Sequence, residues 1–387
     1  MEDVNCVLSP NKKYLVGAIV CMTSVLKNVD IKAKVRFFIL HSELDKEDIK
    51  LIKLLKKIRK CEINIINVKE YLGYFKNVDF TNSLNHLKGN YETFYRLLIW
   101  KILPKDVEKC FWLDSDLLVK CDLLEVSKKL PEDKLIAVVE DFPRTINGKD
   151  DFLRGLQYYE KIEEFKNFVE DVDGYNYFNA GFLLINLKLG IEMGIFEELM
   201  KYFNKYPGMA LQDQDVLNLV FSQNNKDKTI WLDIKYNYYV RFEDKMKRTM
   251  KRKNLLLTLD DTKIIHFAGL NKPWVIGKME DTGNENIQNC YKEWFKYLKI
   301  TPLRDKYDYY ASKKVIVEKK KRDILKVNFL GISGFLRVKE IERLGVIKTK
   351  YYLLNYLLNF LPIFKVKKKG NSRSYYLMGL RIFKFKG

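Results

Sequence analysis

Several features that would assign this chain of 387 residues to a class at once are missing. Its six cysteines form no C-x-x-C pair and most lie inside apolar runs, which predicts buried free thiols in a reducing compartment rather than disulfides or a zinc site. No uncharged stretch reaches the roughly 18–20 residues that span a bilayer. The apolar run from Tyr14 to Leu26 lacks the small-residue cleavage site of a signal peptide. The sequence therefore predicts a cytoplasmic protein.

Acidic residues are scarce near the end of the chain. Residues 301–387 contain 22 Lys and Arg against 6 Asp and Glu, a balance of +16 out of the total of +20. The first 300 residues therefore carry only +4. We predict a folded domain over residues 1–300 and a basic, aromatic extension over residues 301–387. Such an extension is suited to an acidic partner, either a membrane surface or a nucleic acid.

Apolar strands alternate with helical segments in the first half of the chain. The expected strands are Val4–Leu8, Val35–Leu40, Ile63–Val68, Cys110–Leu113 and Leu135–Val139. Amphipathic segments such as Leu44–Arg59 and Tyr91–Leu103 lie between them and predict helices. This alternation indicates an α/β fold with a parallel, doubly wound sheet.

Two carboxylates follow the strand that ends at Leu113. Asp114 and Asp116 are two residues apart, so an extended backbone places both on the same side of the chain. They fall at the edge of the sheet where ligands of α/β proteins bind, and oxygen ligands suit Mg²⁺ and Mn²⁺. One interpretation is a metal–diphosphate site. The other is a surface turn whose Asp and Ser side chains cap the next helix, and so short a motif by itself favours the turn.

Two later motifs combine amide, acidic and small side chains. Asn179-Ala180-Gly181 stands at the head of an apolar strand, where a glycine allows a ligand to approach the backbone closely. Asp213-Gln214-Asp215 opens a helix, and acids suit the N-terminal turn of a helix. Capping explains either acid, but it does not explain the amide between them.

One of the three histidines, His266, ends a short apolar strand. A lone histidine in that position is more often a satisfied core residue than a ligand. The loop that follows contains Gly269 and Lys272, the flexible backbone and the cation that a phosphate-facing loop needs, and this favours a ligand. His41 and His86 lie in polar surroundings and are interpreted as structural or solvated.

Five segments occur in a fixed order along the chain. They are Tyr91-Glu92-Thr93-Phe94-Tyr95-Arg96-Leu97, Leu113-Asp114-Ser115-Asp116, Phe178-Asn179-Ala180-Gly181, Asp213-Gln214-Asp215 and His266-Phe267-Ala268-Gly269-Leu270-Asn271-Lys272-Pro273-Trp274. Together they resemble the glycosyltransferase family 8 enzymes, in the branch of bacterial lipopolysaccharide glucosyl- and galactosyltransferases. The resemblance covers roughly residues 3–300.

The resemblance implies a GT-A fold, in which a Rossmann-like nucleotide-sugar half and an acceptor half form one continuous domain. It implies Mn²⁺ (or Mg²⁺) held by Asp114, Asp116 and His266, a UDP-glucose or UDP-galactose donor, and retention of the anomeric configuration. It also implies a set of residues around the donor and its diphosphate: Arg96, Asp114, Ser115, Asn179, Ala180, Gly181, Gly269 and Lys272. Asp213 and Gln214 are the implied catalytic residues, and Asp141 matches less directly because its alignment depends on strand length.

The first strand departs from the family. It usually ends in an Asp-Asp-Asn-Tyr-like stretch that contacts uridine and ribose, whereas here it ends in Leu8-Ser9-Pro10-Asn11-Lys12. We expect Ser9 or Asn11 to hydrogen-bond the base instead. The missing acids also raise the alternative of a catalytically impaired family member that acts as a binding or assembly protein.

Retention of configuration requires either a carboxylate nucleophile or attack on the face shielded by the leaving group. Gln214 is a poor nucleophile and Asp213 is the nearest acid in its motif, so same-face attack is favoured, with the leaving phosphate accepting the acceptor's proton. The sequence leaves both routes open. A divalent ion at the two aspartates, with Lys272 opposite, would neutralise the departing diphosphate.

The tail pattern predicts contact with a membrane. Tyr351–Phe364 is uncharged and aromatic with a narrow polar stripe, which indicates a helix lying in the membrane surface, followed by a hairpin of Ile363–Lys369 and Tyr375–Lys386. We expect peripheral contact with the anionic inner face of the plasma membrane and an acceptor on lipopolysaccharide, lipooligosaccharide or another lipid-linked glycan. The alternative is a helix that packs on the first domain or on a second protomer of a homo-oligomer. Nucleic-acid binding is disfavoured because no nucleic-acid module is recognisable.

Overall fold

The structure, a computed structural model, describes the chain except residues 1–2, 76–90, 142–176, 206–212, 241–258, 270–271, 277–284, 312–319, 330–331, 344–345, 354–363, 370–371, 378–379 and 387. The chain divides into two compact units, residues 1–275 with 284–312, and residues 276–283 with 313–387. No helix among the described residues has both the length and the apolar character needed to cross a bilayer.

A seven-stranded sheet forms the centre of the first unit. Its strands are β1 (Asp3–Leu8), β2 (Lys34–His41), β3 (Glu62–Asn67), β4 (Lys109–Leu113), β6 (Ile136–Glu140), β7 (Phe178–Asn186) and β8 (Thr229–Leu232). Their order in the sheet is β3-β2-β1-β4-β7-β6-β8. The strands are almost entirely buried at the centre, where Trp112, Phe111 and Phe182 are among the largest side chains sealed from solvent. The α/β fold predicted from the alternation of strands and helices is confirmed.

The sheet is mixed, so the prediction of a wholly parallel sheet is wrong at one strand. β3, β2, β1 and β4 are parallel to one another, and β6 is parallel to β8. β7 runs antiparallel to both of its neighbours, β4 and β6. Apolar periodicity indicates that a strand is buried, but it carries no information on strand direction, which explains the error.

Helices cover both faces of this sheet. In chain order they are α1 (Leu15–Asn28), α2 (Lys46–Lys53), α3 (Ile99–Ile102), α4 (Leu123–Ser127), α5 (Leu187–Glu192), α6 (Ile195–Lys205), α7 (Asp213–Asn218), α8 (Pro273–Ile276), α9 (Glu285–Leu298) and α10 (Tyr307–Ala311). The predicted helix from Leu44 corresponds to α2, which begins in a capping box of Asp45 and Asp48 and continues as a 3₁₀ turn. The predicted helix before Pro104 corresponds to a 3₁₀ segment, Tyr91–Leu98, followed by α3. The helical region expected near residues 150–169 and His86 lie outside the described residues.

A small second sheet places His266 next to Asp114 and Asp116, the other two predicted metal ligands. It contains β5 (Leu117–Val119), β9 (Tyr238–Tyr239) and β10 (Ile264–His266), in the order β5-β10-β9. β10 is antiparallel to β5, and the register pairs His266 with Leu117. The N–H of Phe267 then donates to the carbonyl oxygen of Asp116 at 3.0 Å. The two aspartates and His266 are therefore brought together by strand pairing across about 150 residues of sequence.

The second unit contains a six-stranded antiparallel sheet in sequence order. Its strands are β11 (Lys320–Phe329), β12 (Ile332–Arg343), β13 (Val346–Leu353), β14 (Phe364–Lys369), β15 (Ser372–Leu377) and β16 (Leu380–Lys386). The helix predicted from Tyr351 is wrong at Tyr351–Leu353, which end β13, while residues 354–363 lie outside the described residues. Val346 to Tyr352 is rich in β-branched and aromatic residues, and pairing with strands on both sides favours the extended form. The predicted hairpin is confirmed only in part: β14 pairs with β15, but the predicted second strand Tyr375–Lys386 is divided into β15 and β16, which pair with each other, and residues 370–371 lie outside the described residues.

The strand register divides this sheet into two chemically different faces. Residues paired across antiparallel strands share a face, and successive residues alternate between faces. One face takes no acidic residue of these strands and 14 basic ones: Lys320, Arg322, Lys326, Arg337, Lys339, Arg343, Lys348, Lys350, Lys365, Lys367, Lys369, Arg381, Lys384 and Lys386. The opposite face takes most of the apolar residues together with a balanced set of three acids and three bases. We call the first the basic face.

Candidate active site

A cavity of about 200 Å³ opens where β1 and β4 end. These strands are parallel neighbours, so the residues that follow them, Ser9 and Asp114, emerge at the same edge of the sheet. The cavity is lined by Ser9, Asn11, Tyr14, Glu92, Thr93, Arg96, Asp114, Ser115, Asp116 and Lys272. Six of these ten were predicted from the sequence as nucleotide or donor contacts, and Asp116 as a metal ligand.

Three of the predicted residues meet as a potential metal-binding group. One ligand atom each of Asp114, Asp116 and His266 lies within 4.8 Å of the others. His266 Nε2 is 3.3 Å from Asp116 Oδ1. Two ligands at neighbouring corners of an octahedral Mg²⁺ site with bonds of about 2.1 Å lie about 3 Å apart, so this spacing fits a divalent ion. No other group of three His, Cys, Asp or Glu ligands occurs in the part of the chain that the structure describes.

Gly181 keeps the space between these ligands open. A Cβ at this position would lie 2.7 Å from His266 Cε1, 2.8 Å from Asn179 Oδ1 and 3.1 Å from Asp114 Oδ2. A methyl group would therefore fill the gap that a metal ion and its ligands need. The residue also anchors the turn, because the carbonyl oxygen of Gly181 accepts from the N–H of Asp114 at 2.8 Å. The ligand atoms of Asp114, Asp116 and His266 fit a divalent metal ion, and so does the space that Gly181 leaves beside them.

Asp116 is buried and held in its ionised form. Lys272 Nζ donates to Asp116 Oδ2 and also to the carbonyl oxygen of Phe267 at 2.8 Å. Burial acts to raise the pKa of Asp116, but the positive charge beside it, chiefly the Lys272 ammonium, outweighs burial and holds the pKa well below its usual range. The carboxylate is therefore charged at neutral pH. Lys272 is buried as well, which places a cation on the cavity wall where a diphosphate would need one.

Arg96 orients Asp114 from the opposite side. Its Nη2 lies 2.9 Å from Asp114 Oδ1 and its Nε lies 2.9 Å from Asp213 Oδ2. Its Nη1 donates to the carbonyl oxygen of Ala180, and the guanidinium lies over the ring of Trp112 at 4.9 Å. Trp112 Nε1 also donates to Asp114 Oδ1 at 3.0 Å. Oδ1 of Asp114 accepts these two bonds, and its other oxygen, Oδ2, is the one that faces Gly181.

Gln214 lies beside Asn179 and Ala180 as a fully bonded amide. Its Oε1 accepts from Asn179 Nδ2 and from the N–H of Ala180, both at 2.9 Å. Its Nε2 donates to Asp141 Oδ2 at 2.9 Å and to the hydroxyl of Tyr177 at 3.2 Å. Both donors and both acceptors of the amide are thus taken by the protein. Asp141, which matched the family less directly, is joined to the Asn179 and Gln214 motifs by this contact.

Asp213, the one acid among the two predicted catalytic residues, has a pKa that its surroundings raise. Burial raises the pKa of Asp213 to about 6, while Arg96 and the Thr93 hydroxyl oppose the rise. The carboxyl group of Asp213 therefore binds a proton more tightly in the folded protein than in the unfolded chain, where aspartates titrate near pH 4. The contribution of Asp213 to stability falls as the pH rises from about 4 to about 6 and is constant above that range.

We expect this titration to be measurable by equilibrium unfolding in urea between pH 4 and pH 7. Relative to Asp213→Asn, the wild-type free energy of unfolding should fall by about 3 kcal/mol across the window, since two pKa units correspond to about that energy. Asp227→Asn, at an exposed position, is the control for loss of a carboxylate. If the difference in the free energy of unfolding between wild type and Asp213→Asn were the same from pH 4 to pH 7, that would contradict the raised pKa of Asp213.

The two predicted base-binding residues line the cavity, but they also hold the chain together. Ser9 Oγ donates to the carbonyl oxygen of Glu92 at 2.8 Å. Asn11 Oδ1 accepts from the N–H groups of Lys13 and Tyr14 at 3.0 and 3.1 Å, and its Nδ2 lies 3.4 Å from Glu92 Oε2. A carboxylate from the segment at Tyr91–Leu98 therefore stands beside the end of β1, where the sequence lacks the family's acids. Burial raises the pKa of Glu92.

The remaining predicted residues are close by. Ser115 is buried in the cavity wall, and a methyl at Gly17 in α1 would overlap its carbonyl oxygen, so α1 packs directly on the turn that carries the aspartates. Gly269 has a φ of +84°, a conformation that glycine adopts without strain. His41 is buried and accepts from the N–H of Leu44, in agreement with its structural interpretation. Sequence reasoning missed Tyr14, Glu92, Thr93, Trp112 and Asn237 as site residues, although Glu92, Thr93 and Trp112 lie in or beside segments that it quoted.

An α/β sheet with two acids just beyond the carboxyl end of β4 and a buried lysine bonded to one of them is the arrangement expected of a transferase of the GT-A fold. The chain belongs to glycosyl transferase family 8, whose sequence profile matches residues 5–276. It is a glycosyltransferase, as the order of its five segments predicted.

Known proteins support this assignment. A putative glycosyltransferase from Haemophilus influenzae is 28% identical over 276 residues, covering 70% of this chain and 73% of the relative. A lipopolysaccharide 1,2-glucosyltransferase from Escherichia coli is 27% identical over 283 residues, covering 70% and 74%. The crystal structure of the galactosyltransferase LgtC with donor and acceptor sugar analogs is similar with a TM-score of 0.54 and 21% identity, over 75% of this chain and 95% of LgtC. That likeness confirms the fold.

Proposed function

We propose that this glycosyltransferase moves a hexose, glucose or galactose, from a UDP-sugar to a growing lipopolysaccharide, lipooligosaccharide or other lipid-linked surface glycan, with retention of configuration. The observation that carries the proposal is the meeting of Asp114, Asp116 and His266, with ligand atoms within 4.8 Å, at a cavity that also holds Lys272. Family membership and relatives named as lipopolysaccharide glucosyl- and galactosyltransferases support the substrate class.

Asp114, Asp116 and His266 would hold Mn²⁺ or Mg²⁺ in this proposal. The ion when bound supplies Lewis-acid stabilisation of the departing diphosphate. Lys272 contributes a second positive charge from a buried position, where electrostatic interactions are stronger than in water. Arg96 and Trp112 fix Asp114 so that the carboxylate needs no reorganisation when the donor binds.

Same-face attack remains our preferred route to retention. Asp213 is paired with Arg96 Nε at 2.9 Å, and every hydrogen-bonding group of Gln214 is engaged by the protein. Neither side chain is placed as a free nucleophile. We propose that Gln214 forms a rigid wall against the donor sugar, and that the leaving phosphate accepts the acceptor's proton.

The nucleotide is proposed to extend from Lys272 toward the end of β1. Glu92 lies at that end, beside Ser9 and Asn11. Uracil has one N–H donor between two carbonyl acceptors, and a carboxylate next to an amide is a suitable partner for that pattern. Glu92 would thus take the part of the missing acids in Leu8–Lys12, which weakens the case for a catalytically impaired family member.

A panel of nucleotide sugars tests this proposal. We expect UDP-glucose or UDP-galactose to raise the melting temperature and to be hydrolysed slowly when Mn²⁺ is present, and GDP- and CDP-sugars to do neither. Omission of Mn²⁺ and addition of a chelator should abolish both effects. Stabilisation without any hydrolysis or transfer would instead favour the binding or assembly protein.

The C-terminal unit is proposed to attach the enzyme to the anionic inner face of the plasma membrane, with residues 1–300 as the catalytic domain. The register places Lys339, Lys350 and Lys365 directly opposite one another on three neighbouring strands. Like charges in such positions repel, so an extended anionic surface stabilises this arrangement. A basic face that extends across six strands suits the extended anionic surface of a bilayer, and lipid-linked acceptors are found at that surface.

We expect the full-length protein to bind vesicles that contain phosphatidylglycerol, but not vesicles of phosphatidylcholine alone, and to be released by salt. Changing Lys339, Lys350 and Lys365 to Glu should lower the affinity at least 100-fold, at about 1 kcal/mol for each lost contact. The matched control changes Lys321, Lys368 and Arg373, which the register assigns to the opposite face, to Glu. Equal losses in both variants, or binding to RNA and not to vesicles, would overturn the membrane assignment.

A further inference from the structure

Asn237 is a buried residue that no sequence pattern singles out. It lies directly before β9, is 1% exposed, and stands between His266 and Asn179. Its Nδ2 donates to Asn179 Oδ1 at 3.0 Å, and its Oδ1 is 2.9 Å from His266 Nδ1. Asn237 therefore contacts one proposed metal ligand and one proposed donor-binding residue at once.

The direction of these hydrogen bonds follows from a backbone donor. The N–H of Gly181 can only donate, so the Asn179 atom that it contacts at 2.9 Å is the amide oxygen. That oxygen must also accept from Asn237, so the Asn237 atom beside it is the amide nitrogen. The other atom of the Asn237 amide is then its oxygen, which can only accept. His266 must therefore carry a proton on Nδ1.

We propose that Asn237 is a positioning residue that holds the His266 imidazole in the Nδ1–H tautomer and aims its Nε2 lone pair at Asp116. The ring plane is fixed as well, because Tyr239 stacks on the imidazole with centroids 4.9 Å apart. The metal-binding part of this inference rests on the proposed function. Outer hydrogen bonds of this kind orient ligating histidines in metal sites generally.

The contact on the other side of the ring agrees with this assignment. His266 Nε2 lies 3.3 Å from Asp116 Oδ1, and in the neutral Nδ1–H tautomer both atoms are acceptors. Two facing lone pairs repel unless a cation binds to both of them. Asn237 thus determines which nitrogen of His266 is available as a metal ligand.

Imidazole ¹⁵N spectra of the metal-free protein test the tautomer directly. The chain has three histidines, so one His266→Gln variant assigns the signals. At pH 8 we expect the Nδ1–H form of His266 in the wild type and loss of this preference in Asn237→Ala. Asn237→Asp keeps an acceptor for Nδ1–H but cannot donate to Asn179, so it should retain the tautomer. The wild-type spectrum keeps the inference falsifiable if Asn237→Ala folds poorly, because an Nε2–H tautomer there would contradict it.

Metal affinity is the second measurement. Mn²⁺ binding, followed by electron paramagnetic resonance, should weaken about 10- to 100-fold in Asn237→Ala. Asn186→Ala is the matched control, since Asn186 is also buried but bonds to the carbonyl oxygens of Glu132 and Lys134 at the far end of β7. It should affect stability and leave both the tautomer and the affinity unchanged.

The outcomes separate the inference from the proposed function. An Nε2–H tautomer in the wild type, or an Asn237→Ala variant with wild-type tautomer and Mn²⁺ affinity, would overturn the positioning role. A wild type that binds no Mn²⁺ but whose tautomer depends on Asn237 would support the positioning role and refute the proposed metal site.

Discussion

Asp116→Asn is expected to lower the rate of sugar transfer at least about 1,000-fold at saturating donor and Mn²⁺. A bound divalent ion contributes several kcal/mol of charge stabilisation in the transition state, and each 1.36 kcal/mol is a factor of ten. The amide keeps the size of the side chain but removes the charge that the ion and Lys272 both bind. Single-turnover transfer with excess enzyme measures the chemical step without product release.

The same substitution should also lower stability, and this must be separated from catalysis. Lys272 would keep its bond to the carbonyl oxygen of Phe267 but lose its carboxylate, and removal of one partner of a buried pair costs about 3–5 kcal/mol. A variant with both Asp116→Asn and Lys272→Met has no unpaired charge and should recover much of the lost stability. We expect it to stay inactive. Near-wild-type turnover of Asp116→Asn with Mn²⁺ would refute the metal role, and recovery of transfer in the double variant would trace the loss to folding.

Gly181→Ala is expected to weaken metal binding strongly while leaving the fold intact. The new methyl would lie 2.7 Å from His266 Cε1, closer than the Cβ atoms of real side chains come to a neighbour, and 3.1 Å from Asp114 Oδ2, which is tighter than most such contacts. The backbone tolerates alanine, because Gly181 is not among the described glycines with positive φ. We expect the Mn²⁺ affinity to fall at least about 100-fold, at the upper end of the effect of losing a supporting contact, and transfer to fall with it.

Ala137→Gly is the matched control for this substitution. It changes one carbon atom at a fully buried position of β6, away from the cavity. It should lower the melting temperature and leave the Mn²⁺ affinity unchanged. An unchanged Mn²⁺ affinity in Gly181→Ala would show that the gap beside this residue is not the metal position.

The residues of the site that sequence reasoning found and missed differ in a physical way. Asp114, Asp116, His266 and Lys272 were predicted because charged or ionisable side chains at strand ends suggest chemistry by themselves. Asn237 offers no such signal, since an asparagine in a loop is most often a turn residue. Its importance depends on contacts with Asn179 and His266, which are 58 and 29 residues away.

The tail illustrates a second limit of periodicity. Its polar residues match a helical spacing, yet Tyr351–Leu353 belong to a strand with partners on both sides. Pairing with neighbouring strands can override local preference, because main-chain hydrogen bonds and cross-strand contacts form only when the other strands are present.

The sequence by itself determined the α/β class, the family, the two acids and the asymmetric distribution of charge, because each depends on residue type and order. Only the tertiary structure decided that β7 runs antiparallel, that Glu92 reaches the end of β1, that the tail has a basic face, and that Asn237 contacts His266. These features depend on strand pairing and on contacts between distant segments, and such contacts exist only in the folded chain.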